Sequence, residues 1–149
     1  MNLKRQDHGH ATRHLADGEL TGRIVECFYS VFNALDFGLL EAVYRNALVV
    51  ELSRRGLQAR TEVPIHVVYR GVEVGYFRLD LLVEEKIAVE VKATEFLSPI
   101  AKRQLLNYLR ASCLDVGLLL HFGPHPKCHR LVSLRVVAET REERILPFP

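Results

Sequence analysis

Hydrophobic residues recur at helical spacing in the first third of the chain. Between residues 20 and 34 an apolar residue returns every three or four positions, which predicts a first helix. A short turn at residues 36–38 separates it from a second helix predicted over residues 39–55. Gly56 directly follows two arginines and is expected to cap this second helix in the left-handed conformation.

From residue 61 the pattern changes to one typical of β-strands, rich in β-branched residues and broken by short turns. The predicted strands cover residues 61–69, 72–83, 87–92, 116–122 and 130–137. A third helix is predicted to begin at Ser98, an N-cap followed by proline, and to end near Ser112. The order α-α-β-β-β-α-β-β predicts a mixed α/β (α+β) fold, with helices covering one sheet.

The composition fits one soluble domain. The chain has 149 residues, of which 48% are hydrophobic and 26% charged. We expect a flexible N-terminal arm over residues 1–17, a single domain over 18–138 and a C-terminal tail over 139–149. No apolar run is long enough to span a membrane, and three cysteines without a CxxC pair favour reduced thiols and a cytoplasmic location. A net charge of +2 does not by itself identify a partner.

The second and third predicted strands carry the strongest candidate chemistry. If the turn between them is centred on Glu85, Asp80 and Glu90 stand opposite each other, with Cβ atoms about 4.5–5.5 Å apart. Two carboxylates at that distance repel unless a cation lies between them, and Mg²⁺ or Mn²⁺ takes carboxylate oxygens readily. A two-residue turn would shift the register by one and weaken this argument.

Side chains alternate along a strand, so Lys92 shares a face with Glu90. A lysine there can orient an attacking water and offset negative charge on a phosphate. The same alternation places Leu79, Leu81 and Val83 together on the face opposite Asp80. An isolated E-x-K in a strand is usually a surface ion pair, but the apolar strands around this one favour a site.

The pattern D-x9-E-x-K formed by Asp80, Glu90 and Lys92 resembles the PD-(D/E)XK nuclease superfamily, with Leu79 where a proline usually stands. Residues 38–44, GLLEAVY, match the signature that names the GxxExxY protein family, which is similar to a small prokaryotic branch of that superfamily. The resemblance implies a restriction-endonuclease-like core. This core has a central mixed four-stranded sheet flanked by helices (α-β-β-β-α-β), here with an extra N-terminal helix and a C-terminal strand.

The resemblance also implies a metal site. Asp80 and Glu90 would hold Mg²⁺ or Mn²⁺, with a backbone carbonyl near Val91 as a further ligand and Lys92 as the catalytic lysine. Glu41 would contact the metal directly or through water.

Several other side chains are expected to contact substrate. Gln104 and Tyr108 lie one helical turn apart and resemble the QxxxY element of RecB-like nucleases. Tyr44 is three residues from Glu41 on the same helix, and Lys102 and Arg103 could contact phosphate.

Together these residues predict a metal-dependent nuclease that hydrolyses phosphodiester bonds, acting on nucleic acid with DNA favoured over RNA. The alternative is a module that keeps the nuclease fold and binds nucleic acid or a protein partner without turnover. No membrane partner is expected, whereas a homodimer and an unidentified protein partner stay open. A zinc site is disfavoured, because the candidate ligands lack a second pair at the usual spacing. Those candidates are His121, His125, Cys128 and His129.

Overall fold

A five-stranded sheet with helices on both faces forms the core. The computed structural model of the chain describes the backbone of residues 8–133 and the side chains of residues 17–133. In chain order the elements are α1 (His8–Leu35), α2 (Glu41–Arg54), β1 (Ala59–Tyr69), β2 (Val72–Val83), β3 (Ile87–Lys92), α3 (Pro99–Ser112), β4 (Val116–His121) and β5 (Lys127–Val132).

The strands lie side by side in chain order, and only β3 and β4 pair in parallel. A parallel pair needs a crossover connection, which α3 provides. The predicted mixed sheet, with its extra first helix and last strand, is confirmed. None of the helices in the described part of the chain is both long and apolar enough to cross a membrane.

Alternating residues of the central strands contribute to two separate hydrophobic cores, one on each face of the sheet. Leu81 and Val89 pack with α1 and α2 on one face of the sheet. Leu82, Ala88 and Leu119 pack with α3 on the other. Strands β3 and β4 are covered on both faces, which explains why their sequences are almost continuously apolar.

The backbone conformations and capping contacts at the ends of the helices and in the β2–β3 turn agree with the sequence predictions. Gly56 has φ +74°, the left-handed conformation expected after α2. Ser98 accepts a hydrogen bond from the Ile100 N–H at 3.3 Å and starts α3. Glu84 and Glu85, with φ near +52° and +55°, form the turn between β2 and β3. The resulting register pairs Val83 with Ile87 and Leu82 with Ala88, as a turn centred on Glu85 requires.

Several predicted boundaries differ from the structure. Helix α1 begins at His8, so most of the predicted arm at residues 1–17 is helical, and residues 1–7 lie outside the described part. Hydrophobic periodicity in the sequence begins only near residue 20, whereas this proline-free segment is helical from His8. Strand β1 begins at Ala59 and β5 at Lys127, two and three residues before the predicted starts. Residues 134–149, including the predicted tail, lie outside the described residues.

Strand β2 changes face at Asp80, which corrects one prediction. Leu81 packs on the α1–α2 side, but Leu79 packs on the α3 side, although residues two apart share a face in a regular strand. The pairing of β1 with β2 skips Glu62 and Asp80, and Glu62 has φ +50°. This left-handed residue breaks the regular pleat beside Asp80, so Leu79 does not share a face with Leu81 and Val83.

Candidate active site

The carboxylate pair lies where β2 and β3 separate. Their pairing ends at Leu81 and Val89, and Asp80 and Glu90 are the next residues in the same register. The Val91 N–H donates a hydrogen bond to Asp80 Oδ2 at 2.8 Å. The side chain of Asp80 is thereby fixed against the backbone that joins Glu90 to the lysine after it.

Glu90 is a buried acid with an unsatisfied oxygen. Its side chain is only 6% exposed, and Oε1 lies 3.5 Å from Lys92 Nζ. Oε2 has no hydrogen-bond partner among the described residues. Burial, and then the negative charge of Asp80, raise the pKa of Glu90 to about 8, while Lys92 acts in the opposite direction. A buried oxygen of this kind is costly unless something positive satisfies it.

Sequence reasoning missed Arg45, which faces the same pair from α2. Its Nη1 lies 3.7 Å from Asp80 Oδ1 and 4.0 Å from Glu62 Oε1. Both distances are longer than a hydrogen bond, so Arg45 supplies positive charge without a fixed contact. The one available signal was its position, one turn after Glu41 on the same helix.

Helix α3 also lies near the two carboxylates, at the fork where β2 and β3 separate. Tyr108 is only 5% exposed, and its ring packs against Phe77 with centroids 4.9 Å apart. Burial and the negative charges of Glu90 and Asp80 raise the pKa of Tyr108 to about 12, while a hydrogen bond with the Gln104 side chain lowers it. The predicted Gln104–Tyr108 pair therefore meets on one face of α3 and lies close enough to the acids to sense their charge.

The sequence of this domain matches a known superfamily. A family model described as the PD-(D/E)XK nuclease superfamily matches residues 18–131. The chain belongs to the PD-(D/E)XK nuclease superfamily. A solved structure titled "Crystal structure of SSO0001" is 19% identical with a TM-score of 0.48. That match covers 62% of this chain, which spans about half (49%) of the other. A search of curated proteins gives no match.

Strands β2 and β3 part at Asp80 and Glu90, and this fork lies within the residues that the family model matches. The assignment of Asp80, Glu90 and Lys92 to the three positions of the D-x9-E-x-K pattern stays a prediction. PD-(D/E)XK nucleases generally use divalent metal ions. The residues present suit such an ion, because two carboxylates lie together and Glu90 Oε2 has no other described partner. The described residues contain no group of three His, Cys, Asp or Glu side chains that could hold a metal.

Glu41 is the remaining predicted metal ligand. It is the first residue of α2, it is exposed, and it does not join Asp80 and Glu90 in a three-carboxylate group. Its contact with metal, directly or through water, stays a prediction. Lys102 and Arg103 are exposed on α3, and their contact with phosphate also stays a prediction.

Tyr44 lies in the core beside the turn between α1 and α2, and its predicted contact with substrate stays a prediction. The side chain is fully buried and stacks on Phe122 with ring centroids 4.3 Å apart. Its hydroxyl donates to the Asp36 carbonyl and accepts from the Leu39 N–H at 3.2 Å. Tyr44 therefore anchors the turn between α1 and α2, and its hydroxyl already has partners on the backbone.

Proposed function

We propose that this protein is a metal-dependent nuclease that hydrolyses phosphodiester bonds in nucleic acid, with Asp80 and Glu90 as the metal-holding residues. The observation that carries this proposal is the buried Glu90 carboxylate, which lies beside Asp80 with one oxygen unsatisfied. The pKa of Glu90 is raised for the same reason, because its carboxyl group is buried beside a second carboxylate. A structural ion pair would instead have both carboxylate oxygens satisfied.

Each residue around the fork has a proposed role. Mg²⁺ or Mn²⁺ bound there would stabilise charge on the phosphate and activate water. Lys92, held 3.5 Å from Glu90, orients the attacking water and offsets the negative charge that develops on the phosphate. The Val91 N–H is used by Asp80, which leaves the backbone carbonyl near Val91 as the proposed further ligand.

The surrounding helices support the site. Arg45 balances the charge of Asp80 until an anionic phosphate arrives, and Glu41, one turn earlier on α2, approaches the metal through water. Gln104 and Tyr108 offer an amide and a phenol that can bind the substrate backbone without adding charge.

The GxxExxY branch is the proposed position within the superfamily. Gly38 has φ +115°, a conformation that favours glycine, and Tyr44 locks the same turn. Two of the three signature residues therefore set the start of α2, from which Glu41 and Arg45 project. DNA is favoured over RNA as substrate, and a cytoplasmic location and a homodimer stay predictions.

A cleavage assay tests the proposal. Single- and double-stranded DNA and RNA are incubated with the purified protein and Mg²⁺ or Mn²⁺, beside Asp80→Asn and Lys92→Gln. We expect cleavage by the wild type that is lost with EDTA and in both variants. No cleavage of any substrate would favour the alternative, a binding module without turnover. Cleavage that survives in both variants would show that another site or a contaminant is responsible.

A further inference from the structure

A row of basic side chains leads away from Lys92 across the sheet. The strand register places Lys92, His121 and Lys127 next to one another on β3, β4 and β5. His129 lies two residues after Lys127 and therefore shares its face of β5. The row thus runs from the catalytic fork to the edge strand of the sheet.

Lys102 joins this row from the first turn of α3. Burial lowers the pKa of His129, and the charges of Lys102, Lys127 and His121 lower it further, so each of these three groups lies within electrostatic range of His129. Lys102 and Lys127 are exposed, and neither forms an ion pair with another described residue. We refer to Lys92, Lys102, Lys127 and His129 as the basic surface.

An exposed aromatic ring stands beside the basic surface. Phe96, in the loop between β3 and α3, is 81% exposed. Its carbonyl accepts a hydrogen bond from Thr94 Oγ1 at 2.8 Å, and the Thr94 carbonyl accepts one from His121 Nε2 at 2.7 Å. The loop is thus tied to His121, which the strand register places between Lys92 and Lys127, and Phe96 is exposed to solvent on an anchored backbone.

We propose that the basic surface and Phe96 bind a single-stranded stretch of nucleic acid next to the catalytic fork. This inference rests on the proposed nuclease function and names the form of its substrate. Lys102 and Lys127 contact phosphates, which any nucleic acid offers. Phe96 stacks on a base. Bases in a duplex are already stacked on one another, whereas a base in an unpaired strand has a free π face.

The test measures binding without metal, so that no cleavage occurs. Fluorescence anisotropy with EDTA compares a labelled single-stranded DNA with the duplex of the same sequence over a range of salt concentrations. We expect the wild type to bind the single strand more tightly. Phe96→Ala should weaken single-strand binding by about five-fold or more and leave duplex binding nearly unchanged. Lys102→Glu with Lys127→Glu should weaken both and lower the salt slope by about two.

Two controls match these variants. Lys86→Glu reverses a lysine in the turn at the opposite end of β3, and Leu40→Ala removes a 77% exposed apolar side chain from the turn before α2. Both should bind like the wild type. The inference is overturned if Phe96→Ala affects strand and duplex equally, or if Lys86→Glu weakens binding as much as the double variant.

The outcomes separate this inference from the nuclease proposal. A protein that cleaves DNA but whose single-strand binding is unaffected by Phe96→Ala contradicts only the inference. A protein that binds single strands as described but never cleaves contradicts only the nuclease. Absence of binding to any nucleic acid would overturn the inference and favour a protein partner at this surface.

Discussion

The Asp80 carboxylate on β2 accepts a hydrogen bond from the backbone N–H of Val91 on β3 at 2.8 Å. It does so one residue beyond the last β2–β3 pair, where the two strands part. A side chain thus continues the connection between the strands and holds its charged group beside Glu90. Strand pairing and site geometry depend on the same carboxylate.

Substitution of Asp80 should separate these two roles. Asp80→Ala leaves the buried Val91 N–H without an acceptor and should lower the free energy of unfolding by about 1–3 kcal/mol. Asp80→Asn keeps an acceptor and should cost less than about 1 kcal/mol, although it loses the charge. Urea denaturation at pH 6 measures both. Equal losses would show that the hydrogen bond contributes nothing to stability.

The stability of the metal-free protein should fall as pH rises. Burial and Asp80 raise the pKa of Glu90 from 4.5 to about 8, so between these values the folded state binds a proton that the unfolded state has lost. The contribution is complete below pH 4.5 and disappears as pH rises through about 8. Thermal unfolding in EDTA should show a melting temperature lower at pH 8.5 than at pH 5.5, by roughly 5–10 °C.

Glu90→Gln provides the control for that measurement. The variant cannot ionise, so its melting temperature should change less over the same interval. Mn²⁺ should stabilise the wild type more at pH 8 than at pH 6, because binding requires the ionised carboxylate. An equal pH dependence in wild type and variant would contradict the assignment to Glu90.

Arg45 should compete with the metal. Its guanidinium lies 3.7 Å from Asp80 without a hydrogen bond, and Asp80 is already held by Val91. Arg45→Gln should therefore tighten Mn²⁺ binding, by about five-fold, while it slows cleavage. Arg54→Gln, an exposed position on the same helix, is the matched control and should change neither. Weaker Mn²⁺ binding in Arg45→Gln would show that Arg45 organises the site instead.

Tyr44→Phe should affect stability alone. The hydroxyl bonds to the turn between α1 and α2, so its loss should cost about 1–2 kcal/mol in urea denaturation. Mn²⁺ binding and cleavage at saturating substrate should stay unchanged. A variant of normal stability with weakened nucleic-acid binding would instead support the predicted substrate contact of Tyr44.

The sequence predicts the observed β2–β3 register if the turn is centred on Glu85, and it leaves a two-residue turn open. The three-residue turn at residues 84–86 determines which residues oppose one another. The strands on both sides of it are strongly apolar, which marks where each strand lies. The position of Gln104 and Tyr108 also followed from sequence, because residues one helical turn apart share a face. Local periodicity is enough for the helical pair, whereas the register also depends on the length of the turn.

The remaining features depend on contacts between distant segments. Arg45 on α2 lies 3.7 Å from Asp80 on β2. No local sequence pattern predicts that these two residues lie close together. The change of face at Leu79 accompanies a left-handed conformation at Glu62 of β1. The sequence around Glu62 does not predict that conformation. Tyr44 lies in the GxxExxY pattern, but its hydroxyl bonds to the backbone at Asp36, which the pattern does not predict.

Titration calorimetry with Mn²⁺ at pH 8 tests the central claim most directly, which is that Asp80 and Glu90 together hold a divalent ion. The account predicts binding to the wild type that weakens at least about ten-fold in both Asp80→Asn and Glu90→Gln, with Lys86→Gln unchanged. Binding that is absent from the wild type, or equally tight in the two carboxylate variants, would contradict it.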